Sequence, residues 1–199
     1  SIEVADGYFL DVYDLHTDAD CDDGSMAARA SNLRQIAEYI KNRSAGKAVV
    51  VIGDTNCRYT RDQIAENLLD STEMTDVWVE LIRGGIAPEY GTDALIDTEN
   101  RNSANNEVVD KIFYKSGKNI ELKPNFYALL EDFVDENGNQ LSDHYPITAT
   151  FELTLKDIYK TSETYGGGSG NGFSFLETMN GTFPDTIAIR HRHCRIRRR

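Results

Sequence analysis

Short apolar runs separated by polar loops recur along the first 155 residues of the chain. Residues 7–16 are rich in aromatic and branched side chains with partial alternation, which predicts a β-strand. Residues 47–52 (KAVVVI) form a continuous apolar run, which is typical of a strand buried on both faces. Similar patterns predict further strands at 107–114, near 120–128 and at 145–153.

Helical periodicity occurs in two places between these strands. Apolar residues recur at helical spacing over residues 27–42, with Gly46 as a stop signal. A shorter helix over residues 64–69 is predicted with Thr60 as its N-cap. Residues 84–106 are polar and rich in Gly and Asn, so they are predicted to form a long loop.

The formal net charge of −12 is unevenly distributed. Six of the last ten residues are arginine, so the rest of the chain is more acidic still. A body of that charge repels a phosphate polymer, which disfavours non-specific binding to duplex DNA unless cations or a basic groove compensate. A neutral or zwitterionic phosphodiester, or a small phosphate ester with its metal, fits the charge better. No apolar run approaches the roughly 18 residues of a membrane span.

The character of the chain changes after about Tyr159. Residues 156–189 contain the run GGGSGNG, which predicts a flexible linker or the start of a β-rich module. Residues 190–199 lack hydrophobic periodicity and are predicted to be a basic disordered tail. A nucleic-acid-binding arm and an artefact of the gene boundary are open alternatives for this tail. Three cysteines are not a disulfide framework, although Cys21 and Cys57 could pair in a secreted protein.

Four polar segments lie at the ends of predicted strands or inside them. Strand ends bring loop residues together at one edge of a sheet, where functional sites form. Phosphodiester cleavage requires an oriented, deprotonated water, stabilisation of the phosphoryl charge and usually a hard cation bound by carboxylates. The Asp, Asn and His residues of these segments supply such groups. The segments are Leu15-His16, Gly53-Asp54-Thr55-Asn56, Val109-Asp110-Lys111-Ile112 and Ser142-Asp143-His144-Tyr145-Pro146.

Each segment taken alone also has a structural explanation. Gly-Asp-x-Asn after a strand favours a turn, and His16 could be an ordinary surface residue. Asp110 inside an apolar strand is harder to explain, since a buried carboxylate needs a partner. Ser-Asp-His-x-Pro is the most specific segment, and the combination and order of all four favour a functional site.

In this order, the segments resemble the motifs of the endonuclease/exonuclease/phosphatase (deoxyribonuclease I-like) superfamily over roughly residues 5–154. The resemblance implies an α/β fold, namely a four-layered α/β sandwich of two facing mixed β-sheets flanked by helices, formed by residues 1–155. It also implies roles for individual side chains. Asp54 would orient the attacking water, and Asn56 would steady it and the phosphate. His144 would act as general base or acid, oriented by Asp110.

The resemblance further implies a Mg²⁺ cofactor, with Asp143 near the ion, and a His16 that hydrogen-bonds the phosphoryl oxygens. Family members carry an Asn and a metal-binding Glu upstream of the strand that ends at this His. Glu3 stands in the wrong context to replace that Glu. We therefore expect the N-terminal portion of the domain to be missing, and the isolated chain to be weakly active and poorly folded.

Three functions remain open at this point. The first is a secreted, Mg²⁺-dependent phosphodiesterase that cleaves a phospholipid head group, as a sphingomyelinase does. The second is a DNA or RNA endonuclease of the same family. The third belongs to another class: an inactive fragment or a carbohydrate-binding protein, because Tyr165-Gly166-Gly167 resembles the start of a jacalin-like module. The oligomeric state is not predicted.

Overall fold

The computed structural model describes residues 1–156 and the backbone of residues 186–190. The remainder of the predicted linker or module at 156–189 and of the basic tail after Arg190 lies outside the described residues. Within the described part, no helix combines the length and the apolar character that crossing a bilayer would require.

Eight strands and a few helices make up the described part of the chain. Five strands form a first, mixed sheet in the order β1-β2-β3-β5-β4, in which only β2 and β3 are parallel. The antiparallel strands β6-β7-β8 form a second sheet. The elements are β1 (Ile2–Ala5), β2 (Tyr8–His16), α1 (Asp23–Arg43), β3 (Ala48–Asp54), a π-helical segment (Ala65–Leu69), α2 (Asp70–Thr72), β4 (Thr75–Asp76), α3 (Val77–Leu81), β5 (Asp110–Lys115), β6 (Ile120–Leu129), β7 (Ile147–Leu155) and β8 (Thr186–Arg190).

The α/β fold class and all five predicted strands are confirmed, with shifted ends. The predicted start of β5 at residue 107 is wrong, because the Glu107 N–H donates to the Leu95 carbonyl in the loop and pairing begins at Asp110. Helix α1 begins at Asp23, four residues before the predicted start. Asp22 caps it, since its carboxylate accepts the N–H groups of the next turn.

Thr60 is not the N-cap of the helical segment that follows it. Its N–H and hydroxyl both donate to the carboxylate of Glu107, at 3.2 and 2.8 Å. The segment over Ala65–Leu69 is π-helical and has no side-chain cap. The predicted position of the helix is therefore confirmed, but the predicted cap is wrong. Thr60 donates its hydrogen bonds to Glu107, which lies 47 positions further along the chain.

The first sheet is buried between α1 and the second sheet. Tyr13, Val51 and Phe113 are register partners on adjacent strands and so share one face. Tyr13 contacts Tyr39 of α1, with ring centroids 5.8 Å apart. The other face carries Tyr114, whose ring lies 5.3 Å from that of Phe151 in β7. Burial on both sides explains the unbroken apolar run in β3.

A cluster of charged residues is buried at the edge of the first sheet. Lys111, Asp76 and Glu107 are each at most 2% exposed. The Lys111 ammonium donates to the Val108 carbonyl at 2.5 Å and lies 5.2 Å from the centroid of the Trp78 ring. Burial lowers the pKa of Lys111 and raises the pKa of Asp76, while the opposite charges counteract both shifts. This cluster joins β4, β5 and the start of α3.

Candidate active site

Three polar side chains lie next to one another across three neighbouring strands. His16 is the register partner of Asp54 in the parallel pair β2–β3. Asp54 is in turn the register partner of Asp110 in the antiparallel pair β3–β5. By the alternation of β3, Asp54 lies on the same face as Val50, which is the face toward the second sheet. The edge between the two sheets therefore collects the ends of β2 and β3 and the start of β5.

Gly53 permits the close approach of β2 and β3 just before this row. Its φ is +144°, and a Cβ built there would lie 1.9 Å from the Leu15 carbonyl oxygen. A larger residue would thus separate the two strands that carry His16 and Asp54. Steric constraints therefore require glycine at this position of the Gly-Asp-x-Asn segment.

The second sheet contributes His144 from the loop before β7. Its Nδ1 lies 2.7 Å from Oδ2 of Asp110 and 3.9 Å from Oδ2 of Asp54. His16 reaches the same Asp54 oxygen from the other side, with its Nε2 at 3.5 Å. Asp54 and Asp110 have side chains only 7% and 8% exposed, whereas His16 is 56% exposed. Two buried carboxylates thus lie beneath two imidazoles that solvent can reach.

Asn56 completes the turn after β3. Its backbone is in the left-handed region (φ +47°), a conformation that asparagine tolerates better than most residues. Its N–H donates to Oδ1 of Asp54 at 2.9 Å, and its side-chain amide donates to the Thr17 carbonyl at 3.1 Å. Thr55 donates its hydroxyl to the Val109 carbonyl at 2.6 Å. The turn is therefore tied to the ends of both neighbouring strands.

All six predicted site residues line one cavity of about 890 Å³. Asp143 lies on its rim and is exposed, next to His144. Leu130, Phe133 and Leu141, from the segment between β6 and β7, give the cavity an apolar wall, and Glu131 and Gln140 of the same segment also line it. The cavity therefore combines charged and apolar side chains, which suits a ligand with a polar and an apolar part.

The pKa of His144 lies above its usual value. Partial burial opposes protonation, but the adjacent charge and hydrogen bond of Asp110 outweigh it, with smaller help from Asp54 and Asp143. The imidazolium form is therefore favoured at neutral pH relative to a free histidine. This protonation state suits a proton donor or a partner for a phosphoryl oxygen.

Replacing Asp110 by Asn should lower the pKa of His144. The substitution removes both the negative charge and the anionic acceptor that stabilise the imidazolium, while the size of the side chain is kept. A ¹H NMR titration of the metal-free protein measures this pKa, with His144→Gln used to assign the signal among the four histidines. An unchanged or higher pKa in Asp110→Asn would contradict the Asp110 contribution.

Among residues 1–156, Asp54, Asp110 and His144 form a group that could hold a metal ion. Their ligand atoms lie within 4.8 Å of one another. Two carboxylates suit Mg²⁺, which binds oxygen ligands and commonly uses one or two protein carboxylates. Asp143, the predicted metal residue, is not part of this group. Glu3 accepts the Gly7 N–H at the β1–β2 turn and does not line the cavity.

Cys21 and Cys57 are free thiols. Cys21 is exposed beside the guanidinium of Arg61, whereas Cys57 is buried, and burial raises the pKa of its thiol to about 12. No disulfide joins the two loops in this structure.

Sequence reasoning missed two groups at this site. Thr17 and Thr55 tie the strand ends together through backbone carbonyls. Thr17 lies outside the four motifs, and Thr55 occupies the variable position of Gly-Asp-x-Asn, to which no role was assigned. The apolar wall was also missed, because Leu130 and Leu141 belong to a loop with no regular periodicity. The available signal in the sequence was a leucine inside a polar segment, Leu141 between Gln140 and Ser142.

Comparison with known proteins adds a family relation to this geometry. No protein-family model matches the chain. Curated relatives do match: the chain is 35% identical over 156 residues to a sphingomyelinase of Mycobacterium bovis and to one of Mycobacterium tuberculosis. Each match covers 76% of this chain and 29% of the relative.

The chain is related to these sphingomyelinases, and its ordered motifs resemble those of the endonuclease/exonuclease/phosphatase superfamily. The chain spans only 29% of the length of the curated relatives it matches.

Two solved structures resemble part of the chain in fold. Humanized D. rerio TDP2 is 24% identical, with a TM-score of 0.47 over 70% of this chain and 52% of that one. The β toxin of Staphylococcus aureus is 23% identical, with a TM-score of 0.44 over 73% of this chain and 53% of that one.

Proposed function

We propose that the protein is a Mg²⁺-dependent phosphodiesterase that cleaves the head group from a phospholipid, with sphingomyelin as the first candidate. The observation that carries this proposal is the row His16–Asp54–Asp110 with His144 above it, facing a cavity that has an apolar wall. The family relation to two sphingomyelinases supports the same choice of substrate.

Each side chain has a role that its surroundings allow. Asp54, buried and held in place by the Asn56 N–H, orients the attacking water and accepts its proton. Asp110 holds His144 through Nδ1, which leaves Nε2 to give a proton to the departing oxygen. His16, which is largely exposed, donates a hydrogen bond to a phosphoryl oxygen.

A divalent cation would be held by the carboxylates of Asp54 and Asp110, with Asp143 at the rim. Such an ion supplies charge stabilisation for the phosphoryl group. The acidic chain needs that cation, because without it the carboxylates would repel an anionic phosphodiester. The charge balance also favours a zwitterionic head group over a nucleic acid polymer, as the net charge of −12 indicates.

The full-length protein assayed on sphingomyelin vesicles and on plasmid DNA tests the proposal. We expect release of phosphocholine in Mg²⁺, loss of that release in excess chelator, and little DNA cleavage. Cleavage of DNA alone would replace the lipid substrate with a nucleic acid. Cleavage of neither, with no Mg²⁺-dependent shift of the thermal transition, would favour the inactive or carbohydrate-binding alternative.

A variant in the apolar wall separates lipid binding from chemistry. Leu141 is 65% exposed on the cavity rim, so Leu141→Asp should not disturb the core. We expect it to reduce hydrolysis of sphingomyelin in vesicles and to leave hydrolysis of a small soluble phosphodiester unchanged. Equal effects on the two substrates would argue against an apolar contact with the lipid.

Secretion remains part of the proposal, because a phospholipid head group is a substrate that a secreted enzyme can reach.

A further inference from the structure

Arg29 of α1 is buried completely beside the candidate active site, with 0% of its surface exposed. Its guanidinium donates to the carbonyls of Asp18, Ala19 and Asp20, in the loop that follows His16. On its other side, Nε and Nη2 donate to Oδ1 of Asp62, at 3.1 and 2.9 Å. A single guanidinium therefore holds the loop after β2 against the segment after β3.

Asp62 extends this contact toward the site. Its second oxygen, Oδ2, accepts the Arg58 N–H at 3.0 Å and Nε of Arg61 at 2.9 Å. Arg61 then donates through Nη2 to the Asn56 carbonyl and contacts Sγ of Cys21 through Nη1 at 3.0 Å. Arg61 thus closes the network by contacting both loops.

Burying these charged groups carries a desolvation penalty, which apolar side chains of similar volume would avoid. A role beyond packing is therefore indicated for the network. A buried ion pair is often no more stabilising than well-packed apolar side chains of similar volume. A guanidinium, by contrast, imposes direction, because its planar donors fit carbonyl and carboxylate acceptors at fixed angles. Directional restraint is what Asn56 needs, since its left-handed backbone conformation must persist for its amide groups to stay on Asp54 and Thr17.

We infer that Arg29, Asp62 and Arg61 are positioning residues, which hold residues 17–22 and 55–62 as one unit so that His16 and Asn56 keep their places around Asp54. The catalytic part of this inference rests on the proposed function. The ordering part does not, because hydrogen exchange measures it without any substrate.

Hydrogen–deuterium exchange of the full chain provides the first test. Arg29→Lys keeps a positive charge but cannot reach three carbonyls and a carboxylate together. We expect amide exchange in both 17–22 and 55–62 to accelerate at least tenfold, while β5 stays protected. Arg34→Met is the matched control, since Arg34 also lies on α1 but donates to Asn67, away from the site. It should leave both loops unchanged.

A second variant guards against a folding defect in Arg29→Lys. Arg61→Met leaves the Arg29–Asp62 pair intact, and the Arg61 side chain is already 27% exposed. We expect faster exchange at 55–58 and a smaller increase beside Cys21, whose contact with Arg61 is also lost, with an unchanged thermal transition. Wild-type exchange in both loops of both variants would overturn the inference. If Arg29→Lys accelerates exchange across the whole chain, Arg61→Met decides, and wild-type exchange at 55–58 in that variant would overturn the inference.

Kinetics of the full-length protein distinguish positioning from mere support. Arg61→Met should lower kcat by tenfold or more with KM within twofold, because a misplaced Asn56 weakens the transition state more than substrate binding. Arg61→Lys, which can serve only one of the partners, should give an intermediate kcat. An unchanged kcat in Arg61→Met would overturn the catalytic part. Absence of hydrolytic activity in the wild-type protein would refute the proposed function instead. Hydrogen–deuterium exchange would still show whether Arg29, Asp62 and Arg61 order the two loops.

Discussion

His144→Gln should lower the rate of phosphodiester cleavage by about 10²–10⁴-fold, the range that a positioned acid or base contributes. Glutamine keeps a polar side chain of similar length but cannot carry the proton that Asp110 stabilises on His144. The measurement is kcat/KM on a small soluble phosphodiester in Mg²⁺, so that vesicle binding does not enter. The thermal transition should change little, because His144 is only partly buried.

The double variant Asp110→Asn/His144→Gln makes this prediction sharper. If the two residues act as a unit, Asp110→Asn loses activity mainly through His144, and the double variant is barely worse than His144→Gln alone. Multiplicative losses would mean that Asp110 acts independently, for example only as a metal ligand. Activity of His144→Gln within tenfold of wild type would remove His144 from the chemistry.

Asp76→Ala should cost about 3–5 kcal/mol of unfolding free energy, the range for breaking a buried charge arrangement on one side. The carboxylate of Asp76 accepts the Tyr59 hydroxyl at 3.0 Å and the Trp78 N–H at 2.8 Å. Its loss would leave these donors without their acceptor and would remove the largest of the opposite charges that act on the buried Lys111, with Glu107 and Asp110 remaining. Urea unfolding followed by tryptophan fluorescence measures the change at the single tryptophan.

Asp22→Ala is the matched control for Asp76→Ala. Both aspartates cap a helix through side-chain acceptance of backbone N–H groups. Asp22 is fully exposed, so water replaces its hydrogen bonds when it is removed, and we expect a much smaller loss of stability. Equal losses in the two variants would show that capping, rather than the buried charges around Lys111, accounts for the effect of Asp76.

The elements predicted correctly are those with a strong local pattern. The apolar run of β3 and the periodicity of α1 each predict their own conformation. In both, the pattern of apolar positions is complete within the element itself. The short elements at Thr75–Leu81 were not predicted. Two residues of β4 and five of α3 carry too little periodicity, and they depend on pairing with β5 and on hydrogen bonds to Asp76.

The candidate site shows the same division. The motifs named its six side chains because Asp, Asn and His at strand ends are chemically conspicuous. They did not indicate which groups meet. The structure groups Asp54 and Asp110 with His144 as possible metal ligands and leaves Asp143 at the rim. It also brings Leu130, Phe133 and Leu141 to the cavity, which no local sequence pattern predicted.

The sequence by itself predicted five of the eight described strands, the long helix α1, the α/β class and the Asp, Asn and His side chains at the strand ends. Only the tertiary structure decided that β2, β3 and β5 align His16, Asp54 and Asp110 in one row. It also decided that Arg29 joins the loop after β2 to the segment after β3. The physical reason is range. Propensity and periodicity act between residues a few positions apart, whereas register, burial of charge and hydrogen bonds between loops join residues more than 30 positions apart.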